Sequence, residues 1–263
     1  PQREPFDVAG AWLSAIMLGA LIKTATTFSR PDKDDDMLFT ALAYGALAIT
    51  AGGLFVWQQQ RAPKPLLPLA MFASRRFSLA ALTSLASFVS QGMTFVALPF
   101  LFQSVYGYSA FESALLFTPW PLGIILVAPH AGRMADRHSP ALISTLGLCV
   151  FAVGLALLAL LPDRAAMWDI GVRSLVCGLG FGCFQSPNNR EMLSNVSREN
   201  SGYASGVLAI MRTFGQCLGA ALVGVILSLS NNALAVHLSL WVAALATVLA
   251  LLFSVSRLRI WRV

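Results

Sequence analysis

Arg212 and Gln216 lie four residues apart in the apolar run ASGVLAIMRTFGQCLGAAL, so on a helix they share one face. A guanidinium that deep in hydrocarbon is costly unless a partner or water meets it, which makes Arg212 the sharpest anomaly in the chain. In the run FSLAALTSLASFVSQGMTFVALPFLF, Ser84, Ser87, Gln91 and Thr94 recur at steps of 3, 4 and 3, again one face. Such a stripe either lines a water-filled cavity or bonds helix to helix, at about 0.6 kcal/mol per contact. Trp120 stands between Pro119 and Pro121 in the middle of another run. Its ring is either an aromatic face for an organic cation or a large packing group at a kink, because each proline removes a backbone donor.

The stretch GFGCFQSPNNRE, residues 180–191, collects Gln185, Ser186, Asn188 and Asn189 at the end of an apolar run. Pro187 biases the chain away from helix, and the asparagines read as helix-termination groups that satisfy freed carbonyls. Gln185 lies deepest and alone keeps a view toward a polar pathway. Arg173, near the start of the same run, is placed to snorkel.

Other chemistry is absent from the sequence. There is no GxxxxGK[ST], HExxH or GxSxG, and GLGFG sits within an apolar run rather than after a strand. Cys149, Cys177, Cys183 and Cys217 lie in apolar runs without CxxC spacing, and His130, His138 and His237 are scattered, so no disulfide framework, metal or other cofactor is implied. No carboxylate occupies the middle of an apolar run.

The elements that must hold these residues are membrane helices. The 263 residues are 57% hydrophobic and 11% charged, against about a quarter charged in soluble domains. Runs near the ~20 residues that cross a bilayer occur at 8–28, 38–57, 77–102, 110–131, 141–161, 168–188, 203–229 and 234–255. Arg3, Arg61, Lys64, Arg75, Arg76, Arg133, Arg137, Arg190, Arg198, Arg257, Arg259 and Arg262 fall on one side of these spans; Arg30, Lys33 and Arg164 fall on the other. That bias puts both ends of the chain in the cytoplasm and makes the basic residues topology determinants rather than a nucleic-acid surface. The acidic 32–36 loop then lies outside. Small residues at four-residue steps, Ser174, Gly178, Gly182 and Ser186, permit close helix packing.

Several motifs together resemble one family. GRMADR, Gly132 to Arg137, falls between two spans and resembles the G-x-L-A-D-R loop signature of major facilitator superfamily transporters. The family's downstream glycine and basic residues are replaced by His138, Ser139 and Pro140. PLLPLAMFASRRF is similar to the linker before a six-helix bundle in the 14-helix drug:proton antiporter branch. RSLVCGLGFG is similar to an R-x-x-x-x-G-x-G helix signature, with Arg173 in the arginine position. FQSPNN most resembles exporters of methyl viologen and quaternary ammonium compounds.

The resemblance implies an all-α integral membrane fold with about eight transmembrane helices. Residues 1–60 would be two linking helices, 61–76 a cytoplasmic linker and 77–263 a C-terminal six-helix bundle, with the N-terminal helices of the same transporter missing. It implies a multi-pass protein of the cell membrane that exports cationic drugs in exchange for protons, with the main proton carboxylate elsewhere. The third, fourth, sixth and seventh spans would face the pathway. Gln91, Thr94, Trp120, Gln185, Arg212 and Gln216 are the pathway candidates on them. Asp136 and Arg137, with Gly132 and Arg133, would form a gating loop. The competing readings are an exporter of another small metabolite and a non-transporting membrane scaffold or partner subunit.

Overall fold

The computed structural model describes residues 7–28, 37–61, 69–194, 196–230 and 233–260. The acidic 32–36 loop, Arg30, Lys33 and residues 62–68 of the 61–76 linker lie outside the described residues. No strand occurs among the described residues, and the architecture is all-α. The helices are α1 (Val8–Phe28), α2 (Met37–Arg61), α3 (Arg75–Phe100), α4 (Ala110–Phe117), α5 (Pro119–Arg137), α6 (Pro140–Ala159), α7 (Met167–Ser194), α8 (Ser201–Leu229) and α9 (Ala233–Ile260).

Among the described residues, six segments are long and apolar enough to cross a bilayer: Arg75–Val105, Ala110–Arg137, Pro140–Ala159, Met167–Ser194, Ser201–Leu229 and Ala233–Arg259. Their outward faces carry large apolar side chains such as Ile125 (67% exposed) and Leu245 (67%), as a lipid-facing surface requires. Of the eight expected spans, the first two correspond to α1 and α2, whose described apolar stretches Val8–Thr24 and Leu42–Gln58 are shorter.

The local chemistry explains the breaks. Ser74 and Ser109 cap α3 and α4 by accepting from the backbone N–H of Phe77 (3.4 Å) and Glu112 (3.2 Å). Pro119 divides the fourth span as its sequence predicts. Thr118 bridges α4 and α5 with helical dihedrals (φ −54°, ψ −36°), and its hydroxyl donates to the Ala114 carbonyl at 2.8 Å, so the span continues across the proline. After Pro99, the end of α3 widens: Tyr106 N–H donates to Leu101 O, five residues back, at 2.9 Å.

Two expectations are overturned. GRMADR is not a loop; α5 stays helical through Arg137, and His138 terminates it with an extended backbone (φ −125°, ψ 168°). Nor does Pro187 end its helix. It sits inside α7, which runs on to Ser194, so Asn188 and Asn189 are helical residues rather than terminators. In both cases tertiary packing carries the helix past the point where the local sequence favours an exit.

The bundle has two layers. In one, α3 lies between α8 and α9; in the other, α7 lies between α5 and α6. The layers join where α6 meets α9 and α3 meets α7, while α7 and α8 barely touch. That leaves a recess on the face bordered by α5, α7, α3 and α8. On the adjoining face of α8, α1 brings Leu18 and Ile22 beside Ala209, Ile210, Thr213 and Phe214. The core is an aromatic chain: Phe88–Phe181, Phe181–Phe151 and Phe151–Trp120 meet edge-on with centroids 5.4, 5.3 and 5.6 Å apart.

Candidate functional site

The recess contains two adjoining hollows. A larger one, about 720 Å³, runs between α5 and α7 and is lined by Ala128, Gly182, Gln185, Ser186, Asn189 and Arg190, among others. A smaller one, about 170 Å³, is lined by Phe88 of α3, Gln185 and Asn189 of α7, and Ser205, Leu208 and Arg212 of α8. Gln185 and Asn189 border both. They can do so because i and i+4 lie on one helical face.

Depth follows from helix geometry. Arg212 is eleven residues from the start of α8, which is about 16 Å at 1.5 Å per residue; Gln185 is nine residues from the end of α7, about 14 Å. The start of α8 and the end of α7 lie at one end of the bundle, so both side chains sit near the middle of the spans. Arg212 is exposed to the recess and has no ion-pair partner among the described residues.

The other candidates are placed differently. Gln216 Nε2 donates to Gln91 Oε1 at 2.8 Å, which joins α8 to α3. Thr94 is fully buried, and its hydroxyl donates to Ser90 O at 2.8 Å within its own helix. Ser84 and Ser87, the rest of the stripe, are also buried. Within the stripe, Ser84 and Gln91 join α3 to α7 and α8, while Ser87 and Thr94 bond back to their own helix. Trp120 is fully buried. Phe117 stacks on its ring at 9° and 5.9 Å, and Phe95 and Phe151 approach edge-on, so no ring face is open to a cation. Its indole N–H has no hydrogen-bond partner among the described residues.

Arg173 is held by Asp169 Oδ1 at 3.0 Å and donates to the Leu157 carbonyl of α6. It ties α7 to α6 rather than reaching out to the interface. At the opposite end of α7, Arg190 pairs with Asp136 and donates to Gly132 O at 3.4 Å, linking α7 to the last turns of α5. Arg133 and Arg137 are exposed beside a shallow hollow with His130, Met134, Asp136 and His138. The Gly132–Arg137 segment thus supplies one interhelical ion pair and a basic rim.

Sequence reasoning missed a buried polar network one turn past Pro187. Asn188 donates to Ala80 O (3.2 Å) and Ser84 Oγ (2.8 Å) and accepts from Arg257 Nη1 (2.5 Å). Arg257 also donates to Ser254 Oγ (2.9 Å), which meets Thr145 Oγ1 at 2.6 Å, and approaches Glu191 Oε2 at 3.4 Å. Arg257 and Glu191 are 0% and 1% exposed. The network connects α3, α6, α7 and α9. Glu191 and Arg257 lie at the ends of apolar runs, where charges read as solvated, and no spacing ties residues 66 positions apart.

Glycine lets the helices come this close. A Cβ on Gly123 would lie 2.8 Å from Leu179 N, one on Gly147 2.5 Å from Phe184 N, and one on Gly215 2.9 Å from Phe88 Cβ. On Gly92 and Gly219 it would collide with the backbone of the facing helix.

The Major Facilitator Superfamily profile matches residues 8–220. The chain belongs to the major facilitator superfamily.

Its curated relatives include proteins named as transporters and as multidrug resistance proteins. The chain is 39% identical over 246 residues to the "Uncharacterized transporter YebQ" of Escherichia coli, covering 93% of this chain and 52% of that protein. It is 27% identical over 220 residues to the riboflavin transporter RibZ of Clostridioides difficile, covering 84% and 46%. It is 27% identical over 225 residues to the multidrug resistance protein Stp of Mycobacterium tuberculosis, covering 85% and 41%. The chain therefore spans about half the length of the relatives it matches.

Proposed function

We propose that this chain forms part of an exporter that moves amphipathic organic compounds out of the cell in exchange for protons. Residues 1–60 are its two linking helices and 77–263 its second six-helix bundle, with the ends of α5, α7 and α9 on the cytoplasmic side. Transport proceeds by alternating access, with one bundle rocking against the other around a midplane site. The observation that carries this reading is the recess beside Gln185, Asn189 and Arg212. Arg212 and Gln185 put one part of it at mid-depth, and its larger hollow of about 720 Å³ extends from Gly182 to Ser194 at the end of α7, a volume in the range of roughly 300–1,000 Å³ that organic ligands occupy. Superfamily membership and the multidrug name of Stp support it. Asp136 and Arg190 lock α5 to α7 at the cytoplasmic end, and their separation accompanies opening there.

The resemblance of FQSPNN to exporters of quaternary ammonium compounds supports organic cations as substrates, with their acidic partner supplied from outside the described residues. Proteoliposomes holding the full-length transporter provide the test. An imposed proton gradient should drive export of a dye such as ethidium; no gradient-dependent flux of any amphipathic dye would refute the reading. A second reading, export of a different small metabolite, is favoured by one feature of the recess: its lining holds Arg190 and Arg212 and no carboxylate. RibZ, a riboflavin transporter by name, is a relative of that kind.

A further inference from the structure

We infer that Arg212, with Gln185, Asn189 and Ser205, is a receptor for the carboxylate of an amphipathic organic compound. The inference rests on the transporter reading of the recess and names the group that its ligand carries.

Three other arginines in the spans already have anionic partners: Arg173 meets Asp169, Arg190 meets Asp136 and Arg257 meets Glu191. Arg212 meets none among the described residues, yet it lies at the depth where an uncompensated charge is most costly. The α8 face beside Arg212 is turned to α7, and α1 lies against the adjoining face, with Ala209 bordering both. The counter-charge of Arg212 comes from outside the described residues, on a group that enters the recess.

The lining states which group that is. The guanidinium offers a planar fork of N–H donors, the amides of Gln185 and Asn189 add further donors, and Ser205 adds a hydroxyl. Among the described residues, no acid lines either hollow to repel an anion. A fork plus flanking donors suits a planar carboxylate held bidentately. The smaller hollow of about 170 Å³ holds such a group but not a drug-sized body. The larger hollow continues from it past the shared Gln185 and Asn189 and has room for the remainder. A carboxylate at Arg212 is compatible with a cationic group elsewhere on the same compound.

The experiment uses the purified full-length transporter and two fluorescent probes, dansylglycine and its neutral amide, dansylglycinamide. Wild type should bind the acid at least tenfold more tightly than the amide. Arg212→Gln should bring the acid down to the level of the amide and leave the amide unchanged. Arg212→Lys, which keeps the charge but not the fork, should fall between and guards against loss of fold in the first variant. Equal binding of both probes by wild type, or equal loss of both in Arg212→Gln, overturns the inference; the Arg212 partner is then a side chain of the transporter itself. Energised flux of ethidium in vesicles separates the two levels of the proposal. Acid preference without any energised flux overturns the exporter reading and leaves the site standing, whereas flux without acid preference overturns the site alone.

Discussion

Replacing Arg257 with Met should be among the most damaging single changes in the bundle, and removing Glu191 as well should undo most of the damage. At 3.4 Å, with an effective dielectric constant near 20, the Arg257–Glu191 attraction is about 5 kcal/mol. Arg257 also donates to Asn188 at 2.5 Å and Ser254 at 2.9 Å, and hydrogen bonds to charged groups contribute about 1.5–3 kcal/mol each. Against these stands a desolvation cost of several kcal/mol for each ion. The net value of the pair is therefore small, but stripping one partner leaves the other charge buried. Arg257→Met should cost about 3–5 kcal/mol, and Glu191→Leu a similar amount. In the double variant both desolvation costs vanish. It should lie within about 2 kcal/mol of wild type, the remainder reflecting the Asn188 carbonyl that loses its donor. Equilibrium unfolding in mixed micelles, followed by far-ultraviolet circular dichroism, gives the four free energies. A double variant that loses the sum of the two singles would mean that the charges do not act on each other and would refute this account.

Three further outcomes follow from the packing. Gly92→Ala places a methyl group against the Gln216 backbone, so α3 and α8 must part and the 2.8 Å Gln91–Gln216 bond must stretch. A loss of about 1–3 kcal/mol is expected in the same unfolding assay, while Gly53→Ala, which meets open space, should be neutral or stabilising by up to about 1 kcal/mol. Trp120→Ala should cost about 3–5 kcal/mol because the ring is enclosed, and in flux assays it should depress cationic and neutral compounds alike; selective loss of the cations would show that the ring face opens during transport. Asp136→Asn removes a half-exposed ion pair and should alter stability by less than about 1 kcal/mol, with an effect on flux that high salt reproduces in the unaltered protein.

The helices were legible because 20-residue apolar runs leave few alternatives, and Pro119 was legible because a missing donor acts locally. The helix ends were not. Pro187 and the polar GRMADR both favour an exit, but α3 and α9 hold the segment after Pro187 and Arg190 of α7 holds GRMADR, and that support is invisible to a local pattern. The site divided along the same line. Periodicity put Ser84, Gln91 and Thr94 on one face, yet could not say whether that face meets water or a neighbouring helix. Trp120 was correctly placed beside a kink, and its enclosure by Phe95, Phe117 and Phe151 depended on residues from three other segments. Arg212 stood out because its oddity is one of depth, which sequence does carry. Arg257 and Glu191 did not, since their burial arises only where α3, α6, α7 and α9 are assembled around them.

The glycines of α7 have a mechanical consequence. Gly178 and Gly182 lie 400° apart around the helix axis, nearly in line, and both admit α5; Gly180, half a revolution away, admits α6. Backbone thus bears on backbone along both flanks of one rod, with no flexible side chains between to absorb a displacement. The three helices form a stiff plate. A push on the end of α7 reaches its far end with little loss, and bending is left to the thinly joined border between α7 and α8, beside which Arg212 stands.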